Sequence, residues 1–65
     1  MDETIKKLAQ EYREADKVAL ASTVTLKAAE DDQIDAAYEA SVTAWKLRSS
    51  AANVLALAVC EQLGI

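Results

Sequence analysis

Residues 40–65 read ASVTAWKLRSSAANVLALAVCEQLGI. Only Lys46, Arg48 and Glu61 are charged in these 26 residues. There is no proline, and the single glycine, Gly64, is next to last. Nothing in the stretch obliges a helix to break before Gly64. The spacing predicts a helix from about Gln33 to Leu63. Placed at about 100° per residue, one of its faces holds Ile34, Tyr38, Ser41, Trp45, Arg48, Ala52, Ala56, Val59 and Leu63. A different face holds Ala36, Ala40, Leu47, Ala51, Val54 and Ala58. The clear polar stripe, Asp35, Glu39, Lys46, Ser50 and Asn53, is narrow. A helix that is apolar nearly all round is buried on several sides. Its stop signal is Gly64, which suits the left-handed position after the last turn and places Ile65 to pack back on Cys60.

Working back toward the N-terminus, the turn before this helix is acidic: Glu30, Asp31 and Asp32, followed by Asp35 and Glu39. Asp31 or Asp32 is expected to cap the second helix, and Asp35 to favour its first turn. The spacing lacks the glycine and terminal glutamate of a calcium loop, so no metal is expected there. The first helix is expected over about Glu3–Ala29, capped by Asp2. Ile5, Leu8, Tyr12, Ala15, Ala19, Ser22, Leu26 and Ala29 recur at alternating steps of three and four, a heptad-like seam. The middle of the seam is small. Ser22-Thr23-Val24-Thr25 is the weakest helical segment because β-branched side chains lower helix propensity. A strand there would have no second strand to pair with.

These readings give an all-α fold: one domain spanning 1–65, an antiparallel two-helix hairpin with its turn at residues 30–32. One helix–helix seam is a small core for 65 residues. The first helix can cover only one side of the second. The expectation is therefore a homo-oligomeric helical bundle, most simply a twofold dimer of four helices, with larger rings also accommodated by the alanine-rich face.

Composition narrows function mainly by exclusion. The formal net charge is −4, which argues against a general nucleic-acid binder. With one cysteine, Cys60, and no histidine, there is no intrachain disulfide, no Cys–His nucleophile pair and no conventional zinc set. The acidic start carries no secretory pattern, and the apolar run Ala51–Cys60 is too short to span a bilayer. A cytoplasmic, non-enzymatic protein without cofactor or metal is expected.

Three surfaces are candidates for binding. The first is Trp45, Arg48 and Ser49, with Tyr38 two turns earlier. An arginine on an apolar face needs an anionic partner. That partner is either a carboxylate such as Asp16 or Glu11, or the phosphate of a ligand held between subunits, with Trp45 or Tyr38 stacking on a base and Ser49 hydrogen-bonding. The second is the basic stripe Lys6, Gln10, Arg13 and Lys17 of helix one, suited to an RNA or DNA backbone if two stripes face one way. Its plainer reading is a solvated face with pairs such as Glu3–Lys7. The third is the spare apolar surface of helix two, which could dock on another protein, a host protein included.

The length, the hairpin form and the turn Ala29-Glu30-Asp31-Asp32-Gln33 resemble those of small plasmid-encoded RNA-binding hairpins that dimerise into four-helix bundles. In the same way the chain is similar to the helical-hairpin sponges with which phages sequester cyclic-nucleotide immune signals. Chain size and self-sufficiency suggest a mobile-element or phage accessory protein, a viral protein in the latter case. The leading expectation is an oligomer that captures a small anionic ligand such as a nucleotide between subunits. The alternatives are a protein-binding inhibitor or adaptor acting through helix two, and an RNA-binding dimer using the helix-one stripe.

Overall fold

The computed structural model describes residues Asp2–Ile65. Two helices, α1 (Glu3–Ala28) and α2 (Ile34–Leu63), lie against one another, and the described residues contain no strand. The Cα positions fill a rod of 49 × 17 × 11 Å. No helix among the described residues is long and apolar enough to cross a membrane.

Asp2 starts α1 from an extended backbone, and its Oδ1 accepts the Thr4 amide at 2.7 Å. This satisfies one of the free N–H groups of the first turn. Its Oδ2 accepts from Gln62 Nε2 at 2.6 Å, tying the start of α1 to the end of α2. The hydroxyls of the Ser22–Thr25 segment bond back onto their own helix. Ser22 and Thr23 donate to the Ala19 carbonyl at 2.7 and 3.2 Å, and Thr25 to Ala21 at 3.1 Å. Such back-bonding lets hydroxyl-bearing residues sit inside a helix, and the segment stays helical as its lack of any partner strand required.

Neither Asp31 nor Asp32 caps α2. Gln33 occupies that position, without a side-chain cap bond, and its own backbone is near-helical (φ −111°, ψ −9°). The Gln33 amide donates to Glu30 at 2.8 Å, and its carbonyl accepts from Ala37 at 3.0 Å, so α2 winds directly out of the turn. An aspartate cap needs an extended backbone at the cap residue, and the turn does not provide one. The dipole-favourable Asp35 remains in the first turn. At the other end Gly64 is left-handed (φ 74°), and the Ile65 amide reaches the Cys60 carbonyl at 3.0 Å, the backbone half of the expected stop motif. The side-chain half is missing: Ile65 is 86% exposed and does not pack back on Cys60.

The seven seam positions within α1, and Ala29 at its C-cap, are all buried or partly buried, Ile5 and Ala19 most deeply. The line that α2 turns toward them is Ala37, Ser41, Ala44, Arg48, Ala51, Leu55 and Ala58. It falls between the two apolar faces read from the sequence and takes members of both, plus Ala37, Ala44 and Leu55 from neither. Asp2 with Gln62 and Arg48 with Asp16 fix the register, each pair of numbers summing to 64. On that register buried Ala19 and Ala44 stand at nearly the same height. Small residues at matched heights let two backbones approach closely, and larger ones would hold them apart. The resulting core is thin: Ile5, Ala19 and Ala44 are its buried apolar residues, and Ser41 is buried beside them.

Candidate functional site

The polar side chains that α2 brings to the seam meet three residues of α1 on one side of the hairpin. Tyr12, Asp16 and Thr23 are spaced four and seven apart, so they line one edge of the α1 seam. Arg48 Nε donates to Asp16 Oδ1 at 2.6 Å, and Arg48 Nη2 donates to the Tyr12 hydroxyl at 2.7 Å. The guanidinium carbon lies 5.2 Å from the centroids of both Tyr12 and Trp45. That is within cation–π range of two rings. Trp45 Nε1 donates to Thr23 Oγ1 at 2.9 Å, and Thr23 passes the interaction on to the Ala19 carbonyl. The charged pair remains partly solvated, with side-chain exposures of 30% and 33%.

This arrangement answers the demand that the sequence placed on Arg48. Of the two carboxylates expected as partners, Asp16 takes the role and Glu11 stays exposed. The Asp16 hydrogen bond raises the Arg48 pKa above its usual value; desolvation opposes that, and Tyr12 adds to it. Arg48 is therefore a cation at every pH at which proteins are handled. Chemically, the cluster is a positive charge within cation–π range of two aromatic rings and hydrogen-bonded to a carboxylate. Its carboxylate and both hydroxyls are engaged, Asp16 and Tyr12 by Arg48 and Thr23 by Trp45 and the Ala19 carbonyl. Among the described residues no group of three metal-ligating side chains converges.

The four expected ligand residues are only partly assembled. Arg48 is in cation–π range of Trp45, and Trp45 and Ser49 share an open groove along α2 with Val42, Lys46, Asn53 and Leu57. Arg48 is outside that groove because it turns toward α1. Tyr38 is 59% exposed and joins neither group. The sequence had not singled out Tyr12 or Thr23 as partners, nor Lys46 as a groove neighbour of Trp45. The four- and seven-residue steps from Tyr12 through Asp16 to Thr23 were the available signal.

On helix one, Lys6, Gln10 and Arg13 line a shallow depression with Tyr12 and Asp16. Lys17 does not line it. Instead it lies 3.5 Å from Glu14, in a pair that is well exposed on both sides. Among the described residues that pair and Arg48–Asp16 are the ion pairs formed, so the expected Glu3–Lys7 pair is not made. Asp16 at the rim and Glu14 beside Lys17 dilute the positive field of the stripe. No family model, curated relative or solved structure matches the chain.

Proposed function

We propose that the chain is a non-enzymatic binding protein that works as a homo-oligomer, with α2 as its association surface. The observation that carries this reading is exposed surface. The chain exposes 5067 Å², whereas a compact folded monomer of 7.0 kDa exposes about 4,000 Å². The excess, roughly 1,000 Å², is close to what one partner buries in a standard protein–protein interface, about 800 Å². Most of the large apolar side chains left open lie on α2. Ile34, Tyr38, Leu47, Val54, Leu57 and Leu63 are each at least 41% exposed. Apolar area of that extent on a small chain marks an interaction surface. Light scattering across a concentration series tests the reading. A mass of two or more chains is expected, and a monomer at all concentrations overturns it. Ordering only on addition of a foreign protein would favour an inhibitor or adaptor instead.

A second reading, capture of a small anion such as a nucleotide between subunits, has its own support. Lys46, Trp45 and Ser49 line one groove, which offers an exposed cation, a stacking ring and a hydroxyl on adjacent turns. Asp16 already occupies Arg48, so the phosphate contact falls to Lys46. Calorimetry of the wild-type oligomer with mono- and dinucleotides should show binding that Lys46→Ala removes without changing the oligomer mass. Absence of heat with the wild type would end this reading and leave the first intact.

A further inference from the structure

Self-association through α2 leaves open which of its flanks meets the second copy and in which direction. Two independent features of the chain decide both points.

The first is where the charge lies. Residues 18–45, which make up the turn half of the rod, carry Lys27 against Glu30, Asp31, Asp32, Asp35 and Glu39. The other half carries six side chains of each sign. The whole net charge of −4 therefore sits at one end of a rod 49 Å long. Two rods packed in parallel would place both acidic ends side by side. Packed antiparallel, the ends are separated by several Debye lengths, each about 8 Å at physiological salt, and their repulsion vanishes.

The second feature is the size pattern of one flank. Tyr38, Val42, Trp45, Ser49, Ala52, Ala56, Val59 and Leu63 recur at steps of four and three, beside the seam. None is charged and none is fully buried. The opposite flank carries Ala36, Ala40 and the exposed Leu47, Val54 and Leu57, and it runs on to the charged Glu61. The uncharged flank also carries Tyr38 and Trp45, residue types enriched where interfaces are buried. Paired with itself in parallel, this flank would set Trp45 against Trp45 and leave Ala52 and Ala56 facing their own kind, a tight spot followed by a gap. Paired antiparallel, Trp45 faces Ala56, Val42 faces Val59, Tyr38 faces Leu63, and small Ser49 and Ala52 meet at the centre. The indole, the largest side chain of the flank, then meets a small residue, which fills the interhelical space more evenly than two indoles face to face.

From these two features, and resting on the self-association proposed above, we infer that a second copy of the chain docks antiparallel on the Tyr38–Leu63 flank of α2. The dimer axis passes between Ser49 and Ala52. The acidic turns lie at opposite ends of a four-helix bundle, and the Trp45–Arg48 clusters flank its middle.

Cysteine cross-linking of the full chain, in a Cys60→Ser background, tests the inference. Val42→Cys and Val59→Cys chains, distinguishable by mass, are mixed and oxidised. The expected product is a mixed Val42→Cys–Val59→Cys dimer. Neither variant should link to itself, because like positions then lie about 25 Å apart along the helix axis. Ser49→Cys, near the axis, should self-link under a short bifunctional reagent. Self-linking of Val42→Cys would show a parallel pair and overturn the inference. So would a dimer by light scattering that links at none of these positions but does so at Leu47→Cys or Val54→Cys. Either result leaves self-association standing. A monomer by light scattering would remove both.

Discussion

The two helices are of similar length and run side by side, yet they dispose of their apolar residues in opposite ways. On α1 the seven heptad positions from Ile5 to Leu26 all turn inward, and most of the remaining surface is polar. Val18, Leu20 and Val24 are its exposed large apolar side chains. On α2 the inward line is mostly alanine, and the large side chains Tyr38, Leu47, Val54, Leu57 and Leu63 stand outside it. The lesson is that α1 behaves as a surface helix with a single apolar stripe. In contrast, α2 is apolar on both sides of its inward line, and α1 covers only that line. The hairpin seam is consequently specified by fit between small residues and by the Arg48 cluster, more than by buried area.

That contrast can be broken or sharpened by substitution. The largest effect is expected from a charge placed on the flank of α2. Ala56→Glu should weaken self-association roughly 30-fold or more, since an unpaired charge in an interface costs about 2–5 kcal/mol. Lys17→Glu on the outer face of α1 should leave the mass distribution unchanged. Sedimentation equilibrium measures both, and equal responses would erase the distinction between the helices.

Next comes the seam. Ala19 has no exposed surface, so Ala19→Leu should overpack it and destabilise the fold by about 1–3 kcal/mol in urea unfolding. Ala40→Leu, at an exposed position of α2, should stay within about 0.5 kcal/mol. If Ala19→Leu were neutral, the helices would not be as closely apposed as the alanine seam requires.

A smaller effect is expected at the polar cluster. Trp45→Phe keeps the ring but removes the bond to Thr23, for a loss of about 0.5–1.5 kcal/mol. Asp16→Asn should lower the thermal midpoint as well, by weakening the hold on Arg48. The folded-state pKa of Arg48 is raised. Its contribution is therefore fully present below the ordinary arginine pKa and is lost only as pH rises through the higher folded value. The difference in melting midpoint between wild type and Asp16→Asn should accordingly show no Arg48 titration between about pH 6 and 10. The smallest effect belongs to Gly64→Ala. A Cβ there meets nothing within 4 Å, so only the left-handed backbone is strained, by about 1 kcal/mol. The last turn can fray to relieve it, and amide exchange at Ile65 is where the change should be seen.

The sequence alone was enough for two helices, the turn between them, the inward stripe of α1 and the Gly64 stop. These are local properties, fixed by periodicity, propensity and capping over a few neighbouring residues. It also identified Arg48 as a charge in need of a partner, and it named Asp16 among the candidates. The alignment of α2 was not legible. A helix apolar on two faces has no single stripe to point inward, so the periodicity was satisfied by several rotations at once. Only packing against α1 chose the Ala37–Ala58 line, because that rotation lets small residues meet at matched heights while Arg48 reaches Asp16 and Tyr12 and Trp45 reaches Thr23. The cap of α2 was decided the same way, by the path of the Glu30–Gln33 turn and not by the preference of Asp31 or Asp32. Sequence thus determined what each helix is. Tertiary structure decided which way α2 faces, because a choice among equally apolar faces depends on the shape of the partner, which no periodicity within α2 encodes.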